Sequence, residues 1–252
     1  MLAIAPKTED YGYHEFELNN FKVAIDYLKN QGINKIGIVG GSITGTIALV
    51  VASYFKDISF TFALSPSDFV TEGYLRDGLD NVKERPSNTS LLKFNGEALA
   101  YLPYAYRHPA YWQKIKRESK LTHNLIASKA LFETSEMINQ LNEAMMIKIE
   151  KINGTLVLAC AKDDCLWNAA KYINRMRERL DNKLYKPKLY TIIYNHGTHF
   201  LFPESMLKHI MPITSLLPLV FKDGRNYAKE AKVSRIDLDY QLDKLIKKWL
   251  NS

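Results

Sequence analysis

The chain has 252 residues, 46% of them apolar and 24% charged, which is the mix of an ordinary globular domain and excludes a disordered or collagen-like chain. Its two cysteines, Cys160 and Cys165, make neither a disulfide framework nor a zinc-ligand spacing, and a chain this long needs no such staple; a reducing compartment is expected. The net charge of +7 leaves room for a phosphate-bearing ligand, but the basic residues are dispersed, so a solvated surface is expected and a nucleic-acid interface is not.

In chain order, Leu2–Ala5 is a short apolar run stopped by Pro6 and reads as a strand. It is too short, and lacks the basic lead-in, for a signal peptide; no later run is long enough to span a membrane, so a cytoplasmic protein without a membrane partner is expected. Glu17–Lys29 carries Leu18, Phe21, Ala24, Ile25 and Leu28 at helical spacing, with Gln31-Gly32 as the stop. Lys35–Val39 is a buried strand that runs through Gly40-Gly41-Ser42-Ile43-Thr44-Gly45 into an apolar helix, Thr46–Phe55. Ile58–Leu64, Leu156–Ala161 and Leu189–Tyr194 are further strands. Trp167–Leu180 and Leu238–Leu250 are further helices. Strands alternating with helices predict one α/β domain over residues 1–252: a mostly parallel sheet covered on both faces.

Residues 65–150 break that rhythm. They hold Pro86, Pro103 and Pro109, a cluster of Tyr and Phe, and helical stretches near Tyr111–Ser119 and Glu136–Ile149. The segment sits between two core strands and reads as a lid over the carboxyl edge of the sheet.

Three segments carry chemistry. A strand that turns sharply into a helix, with Ser42 at the turn, needs small neighbours because strand and helix nearly touch. It also puts the serine at a helix N-terminus, where backbone N–H groups can hold an oxyanion. Gly40 and Ser42 fit the pattern G-x-S-x-G, with Thr44 in place of the second glycine and Gly45 just after it. The same turn can serve packing or phosphate binding alone. No Lys-Ser or Lys-Thr follows, which excludes a P-loop, and a dinucleotide fingerprint is absent. The strand Leu156–Ala161 runs into Asp163-Asp164, where one carboxylate can orient a histidine; Asp164 holds the acid position, and Asp163 is expected to cap the next helix. The last core strand leads to Tyr194-Asn-His-Gly-Thr-His-Phe200, with His199 as the base and His196 as its rival. The order Ser42, Asp164, His199 is that of α/β hydrolases, and each residue follows its own core strand.

At these residues the chain resembles the C-terminal catalytic domain of acyl-CoA thioesterases and bile acid-CoA:amino acid N-acyltransferases. The likeness runs through Met1–Ala5, Gly40–Leu49, Phe94–Leu99, Asp163–Trp167 and Gly197–Phe200. It implies an α/β-hydrolase fold with an inserted lid, no cofactor and no metal, and an acyl-CoA or other acyl thioester as small-molecule substrate. Ser42 would be the nucleophile, His199 the base and Asp164 the acid. A serine, where the amino-acid transferase carries cysteine, favours hydrolysis over transfer. Measured against that family, the chain begins several strands in. The early strands, and with them the loop that supplies one oxyanion N–H, are not in this sequence, and the backbone N–H of Ile43 is the remaining donor. Impaired activity is one expected consequence. Another is an open sheet edge, covered by the insertion or paired in a homodimer.

The expected activity is therefore serine-dependent hydrolysis of an acyl thioester. Tyr101, Tyr104 and Trp112 would line the acyl or pantetheine pocket, and Lys93, Arg107, Lys114 and Arg117 would meet CoA phosphates. A carboxylesterase or peptidase on the same fold, and a truncated non-catalytic binding module, are the alternatives.

Overall fold

A computed structural model describes residues 12–76, 84–184, 186–206 and 220–252, together with Leu2 and Ile4. The centre is a four-stranded, all-parallel sheet. Its strands β2 (Ile36–Gly41), β3 (Ile58–Leu64), β8 (Thr155–Ala161) and β9 (Lys188–Tyr194) lie side by side in that order. The first connection is α2 (Ile43–Tyr54), and β8 is joined to β9 by α5 (Ala169–Asp181). The α/β class expected from the sequence is the one found.

Both faces of the sheet are covered, which is why its inner strands read as continuous apolar runs rather than alternating ones. Phe60, Phe62 and Leu64 of β3 and Val157, Ala159 and Ala161 of β8 pack with Leu238 and Leu242 of the C-terminal helix, α7 (Ala228–Leu250), which follows the short α6 (Lys222–Asn226). Residues of the opposite parity, Ala63, Leu156, Leu158 and Cys160, join a larger cluster with α2, α5 and α1 (Asn19–Asn30). The end of α7 is fastened by Lys35, whose Nζ donates to the carbonyls of Trp249, Leu250 and Ser252, and by Trp249, whose indole donates to Ser59 Oγ at 3.0 Å. A cation on the last carbonyls of a helix satisfies acceptors that have no partner within it.

Between β3 and β8 lie smaller elements. Strands β4 (Glu72–Arg76) and β5 (Glu84–Ser90) form an antiparallel pair, and β6 (Leu92–Phe94) is flanked by β1 (Phe16–Glu17) and β7 (Glu97–Ala98). Helices α3 (Ala110–Thr122) and α4 (Lys129–Ile138) follow. Buried ion pairs tie this insertion to the core. Arg175 of α5 donates to both oxygens of Asp68 and to Glu136, and Tyr172 donates to Glu136 at 3.0 Å. Glu72 is fully buried and accepts from the backbone N–H groups of Tyr104 (2.6 Å) and Asn88 (2.8 Å) and twice from Arg107.

Three expectations change. The helix read over Glu136–Ile149 ends at Ile138, and Gln140 takes a left-handed φ of 49°. The apolar residues beyond it, Met145 and Met146, instead pair with the chain near Phe69 and Val70. The last helix starts at Ala228, ten residues before the expected Leu238; the face it turns inward there is small and polar (Ala231, Ser234 and an Arg235 paired with Glu204), so no apolar stripe marks it. The strand expected over Leu2–Ala5 lies outside the described residues except for Leu2 and Ile4, neither of which is in a strand. Among the described residues, β2 has a strand neighbour on one side only, and Val39 within it is 48% exposed. No helix among the described residues is long and apolar enough to cross a membrane.

Candidate active site

The strand–helix turn is as tight as the sequence implies. Ser42 has φ 59° and ψ −129°, a conformation that costs a non-glycine residue about 1–3 kcal/mol and persists only when its surroundings hold it. Here the Ser42 N–H donates to Leu64 O of the neighbouring strand at 2.8 Å. Two glycines make the turn possible: a Cβ on Gly40 would sit 2.1 Å from Thr44 O, and one on Gly45 would sit 2.9 Å from Leu64 O. The threonine at position 44 fits because its side chain points outward and closes the turn. Its Oγ1 accepts from Gly41 N–H at 3.0 Å and donates to Gly41 O at 2.7 Å.

The carboxyl ends of β2, β8 and β9 bring the three expected residues together. Ser42 Oγ lies 2.6 Å from His199 Nε2, and His199 Nδ1 lies 2.7 Å from Asp164 Oδ2. Asp164 and His199 are buried, while Ser42 stays half-exposed. The other oxygen of Asp164 accepts from Leu166 N–H at 2.9 Å and Trp167 N–H at 3.4 Å, which fixes the carboxylate's orientation. With Asp164 as the acceptor, His199 carries its proton on Nδ1, and Nε2 is left to accept from the serine hydroxyl. Ile43 is the first residue of α2, so its N–H is among those without an intrahelical acceptor.

An aromatic wall backs the histidine. Trp167 meets the His199 ring edge-on at 5.3 Å between centroids, and its indole N–H donates to Ser65 O at 2.9 Å. Phe132 packs on Trp167, and Tyr104 on Phe132. On the other side Phe200 contacts His199, Phe202 and Phe221. This wall was not anticipated as a unit, although Trp167 and Phe200 lie beside expected site residues.

The rival assignments separate. The His196 ring stacks on Tyr227 at 3.9 Å, and its Nδ1 faces Asp163 at 3.7 Å, so it stands apart from Ser42. Asp163 does not cap α5; Asn168 does, accepting from Lys171 N–H. Both cysteines are free. Burial pushes the Cys165 thiol up to about 12, and the Cys160 thiol also upward, so neither supplies a thiolate near neutral pH.

The remaining candidates fall in the insertion. Tyr104 is buried in the aromatic wall, and Arg107 is engaged by Glu72. Tyr101 donates to Asn88 O at 3.2 Å, and Lys93 lies in β6 opposite Glu17. Lys116 sits over the Trp112 ring and Lys114 over that of Tyr106. Among the described residues no group of three His, Cys, Asp or Glu could hold a metal ion.

The fold and this site define an α/β protein with a serine, a histidine and an aspartate linked at the carboxyl edge of its sheet. The chain belongs to the BAAT / acyl-CoA thioester hydrolase C-terminal family, whose model matches residues 16–216. A search of curated protein sequences finds no match. Among solved structures the chain is similar to the 2,6-dihydroxy-pseudo-oxynicotine hydrolase, at 12% identity and a TM-score of 0.36. The likeness covers 72% of this chain and 40% of that one.

Proposed function

We propose that the chain hydrolyses acyl thioesters through a covalent acyl-serine. The observation that carries this reading is the continuous Ser42–His199–Asp164 hydrogen-bond array at a strained strand–helix turn, in a chain of a thioester-hydrolase family. His199 Nε2 takes the hydroxyl proton as Ser42 Oγ attacks the thioester carbonyl, and Asp164 stabilises the imidazolium that forms. The Ile43 N–H faces the developing oxyanion at the start of α2. Collapse of the tetrahedral intermediate breaks the C–S bond, and the thiolate leaves with the proton from His199. Water, deprotonated by the same nitrogen, then releases the acid and restores Ser42.

Residues 65–150 act as the lid. Tyr101 and Trp112 shape the acyl or pantetheine pocket, Tyr104 and Arg107 hold its frame, and Lys93 is a candidate for the CoA phosphates. A serine rather than a cysteine nucleophile favours water over an amine as acceptor. The test is turnover of a matched acyl-CoA, oxyester and peptide by the wild type and by Ser42→Ala. The proposal expects the thioester to be preferred and all turnover to depend on Ser42. Preference for the oxyester or peptide would move the protein to another hydrolase class, and turnover by Ser42→Ala would remove the serine from the mechanism.

A further inference from the structure

The two adjacent aspartates after β8 do different work. Asp164 reaches the His199 ring, whereas the side chain of Asp163 turns to the backbone that carries that ring. Its Oδ1 accepts from Thr198 N–H at 2.7 Å and Gly197 N–H at 3.1 Å, and its Oδ2 lies 3.2 Å from Gly197 N. The carboxylate is 8% exposed, and burial pushes its pKa up. The two N–H groups, with the nearby His196 ring, offset part of that desolvation, whereas the Asp223 carboxylate adds to it.

What the carboxylate holds is a strained loop. Thr198, immediately before His199, has φ 60°, a region that disfavours any residue with a Cβ by about 1–2 kcal/mol. Beside it the Phe200 N–H donates to Thr198 Oγ1 at 3.3 Å and Ser65 Oγ donates to His199 O at 3.5 Å, both longer than either bond to Asp163 Oδ1. Gly197 packs so closely that a Cβ there would meet Leu201 at 2.5 Å. With the carboxylate gone, Thr198 is free to relax to negative φ, and the His199 Cα shifts with it. A misplacement of about 1 Å can cost on the order of a hundredfold in rate.

We propose that Asp163 is a positioning residue for the Ser42–His199–Asp164 array: its carboxylate clamps the Gly197–Thr198 backbone and so sets where the His199 ring stands between Asp164 and Ser42. This rests on the reading of Ser42 as nucleophile. Asp164 orients the ring, and Asp163 orients the chain that bears it. The adjacency follows from the alternation of side chains as the strand ends, since neighbouring residues leave the backbone in different directions.

The experiment compares the wild type, Asp163→Ala and Asp163→Asn in the full chain. It measures the rate of labelling by a fluorophosphonate, and kcat and KM on p-nitrophenyl acetate, with circular dichroism to establish folding. The alanine variant is expected to be folded, to lose about 10- to 100-fold in labelling rate and kcat, and to keep KM within about threefold. The asparagine variant is expected to stay within about threefold of the wild type, because its Oδ1 accepts both N–H groups and its amide can donate to the otherwise unpaired His196 Nδ1. Unchanged kcat in the alanine variant, a change in KM alone, or an asparagine variant as slow as alanine would each overturn the proposal. If the alanine variant does not fold, Asp163→Ser, too short to reach both N–H groups, carries the same expectation and the same refutations. A wild type that does not label at all overturns the nucleophile and this proposal together, whereas a wild type labelled at Ser42 with an equally reactive alanine variant overturns this proposal alone.

Discussion

Replacing Glu72 by alanine removes the acceptor that joins three parts of the insertion. The Tyr104 N–H, buried, and the Asn88 N–H, partly buried, both lose their partner. A buried unsatisfied donor costs about 1–3 kcal/mol and the half-shielded one about half as much, so Glu72→Ala should destabilise the fold by roughly 2–4 kcal/mol. For a chain of this size that is a fall in Tm of roughly 5–15 °C. Arg107 is half-exposed and turns to water once its partner is gone. In the Glu72→Ala background, Arg107→Ala should therefore add less than about 0.5 kcal/mol, although alone it strands a buried carboxylate and is costly. Urea unfolding of the four proteins of this cycle measures both quantities. A loss below about 1 kcal/mol for Glu72→Ala, or full additivity with Arg107→Ala, would refute the view that Glu72 is a hub and free Arg107 for a ligand.

Three further outcomes follow from the geometry. Asp164→Asn should keep the fold but lower kcat by up to about 10⁴-fold, because an amide at Oδ2 favours the wrong histidine tautomer; steady-state kinetics on an ester or thioester measure it, and a loss under about tenfold would contradict the role. His196→Ala should leave kcat within roughly threefold, since that ring stacks on Tyr227 and does not approach Ser42; a larger fall in kcat under the same assay would reopen its candidacy. Glu143 is held down to about 2 by hydrogen bonds from Arg179 and Lys148, against an ordinary value of 4.5. Its stabilisation is thus present above pH 4.5 and lost as pH falls towards 2. Because the side chain is largely exposed, Glu143→Gln should cost only about 0.5–1 kcal/mol at pH 7 and nothing near pH 2, read from urea unfolding at both.

The parallel strands were legible because a strand buried on both faces leaves a near-continuous apolar run, as in Leu156–Ala161. The candidate site was legible because each of Ser42, Asp164 and His199 comes shortly after the end of its own predicted strand. What escaped the sequence was governed by pairing rather than periodicity. The first half of α7 buries Arg235 against Glu204, so no apolar stripe marks it. Met145 and Met146 have helix-like spacing but serve an extended contact with Phe69 and Val70, made possible by the left-handed turn at Gln140. The job of Asp163 depends on a loop 34 residues further on, which no local pattern reports. Thr44, a departure from the glycine pattern, is explained only by the two hydrogen bonds its hydroxyl makes to Gly41.

The proposed mechanism stands on Ser42 as an activated nucleophile. Its most direct test is to incubate the wild-type chain with a fluorophosphonate and find the modified residue by peptide mass spectrometry. A single phosphonylated residue, Ser42, is expected, with labelling abolished in Ser42→Ala and slowed by orders of magnitude in His199→Ala. A wild-type chain that stays unmodified, or a label on another residue that persists in Ser42→Ala, would contradict it.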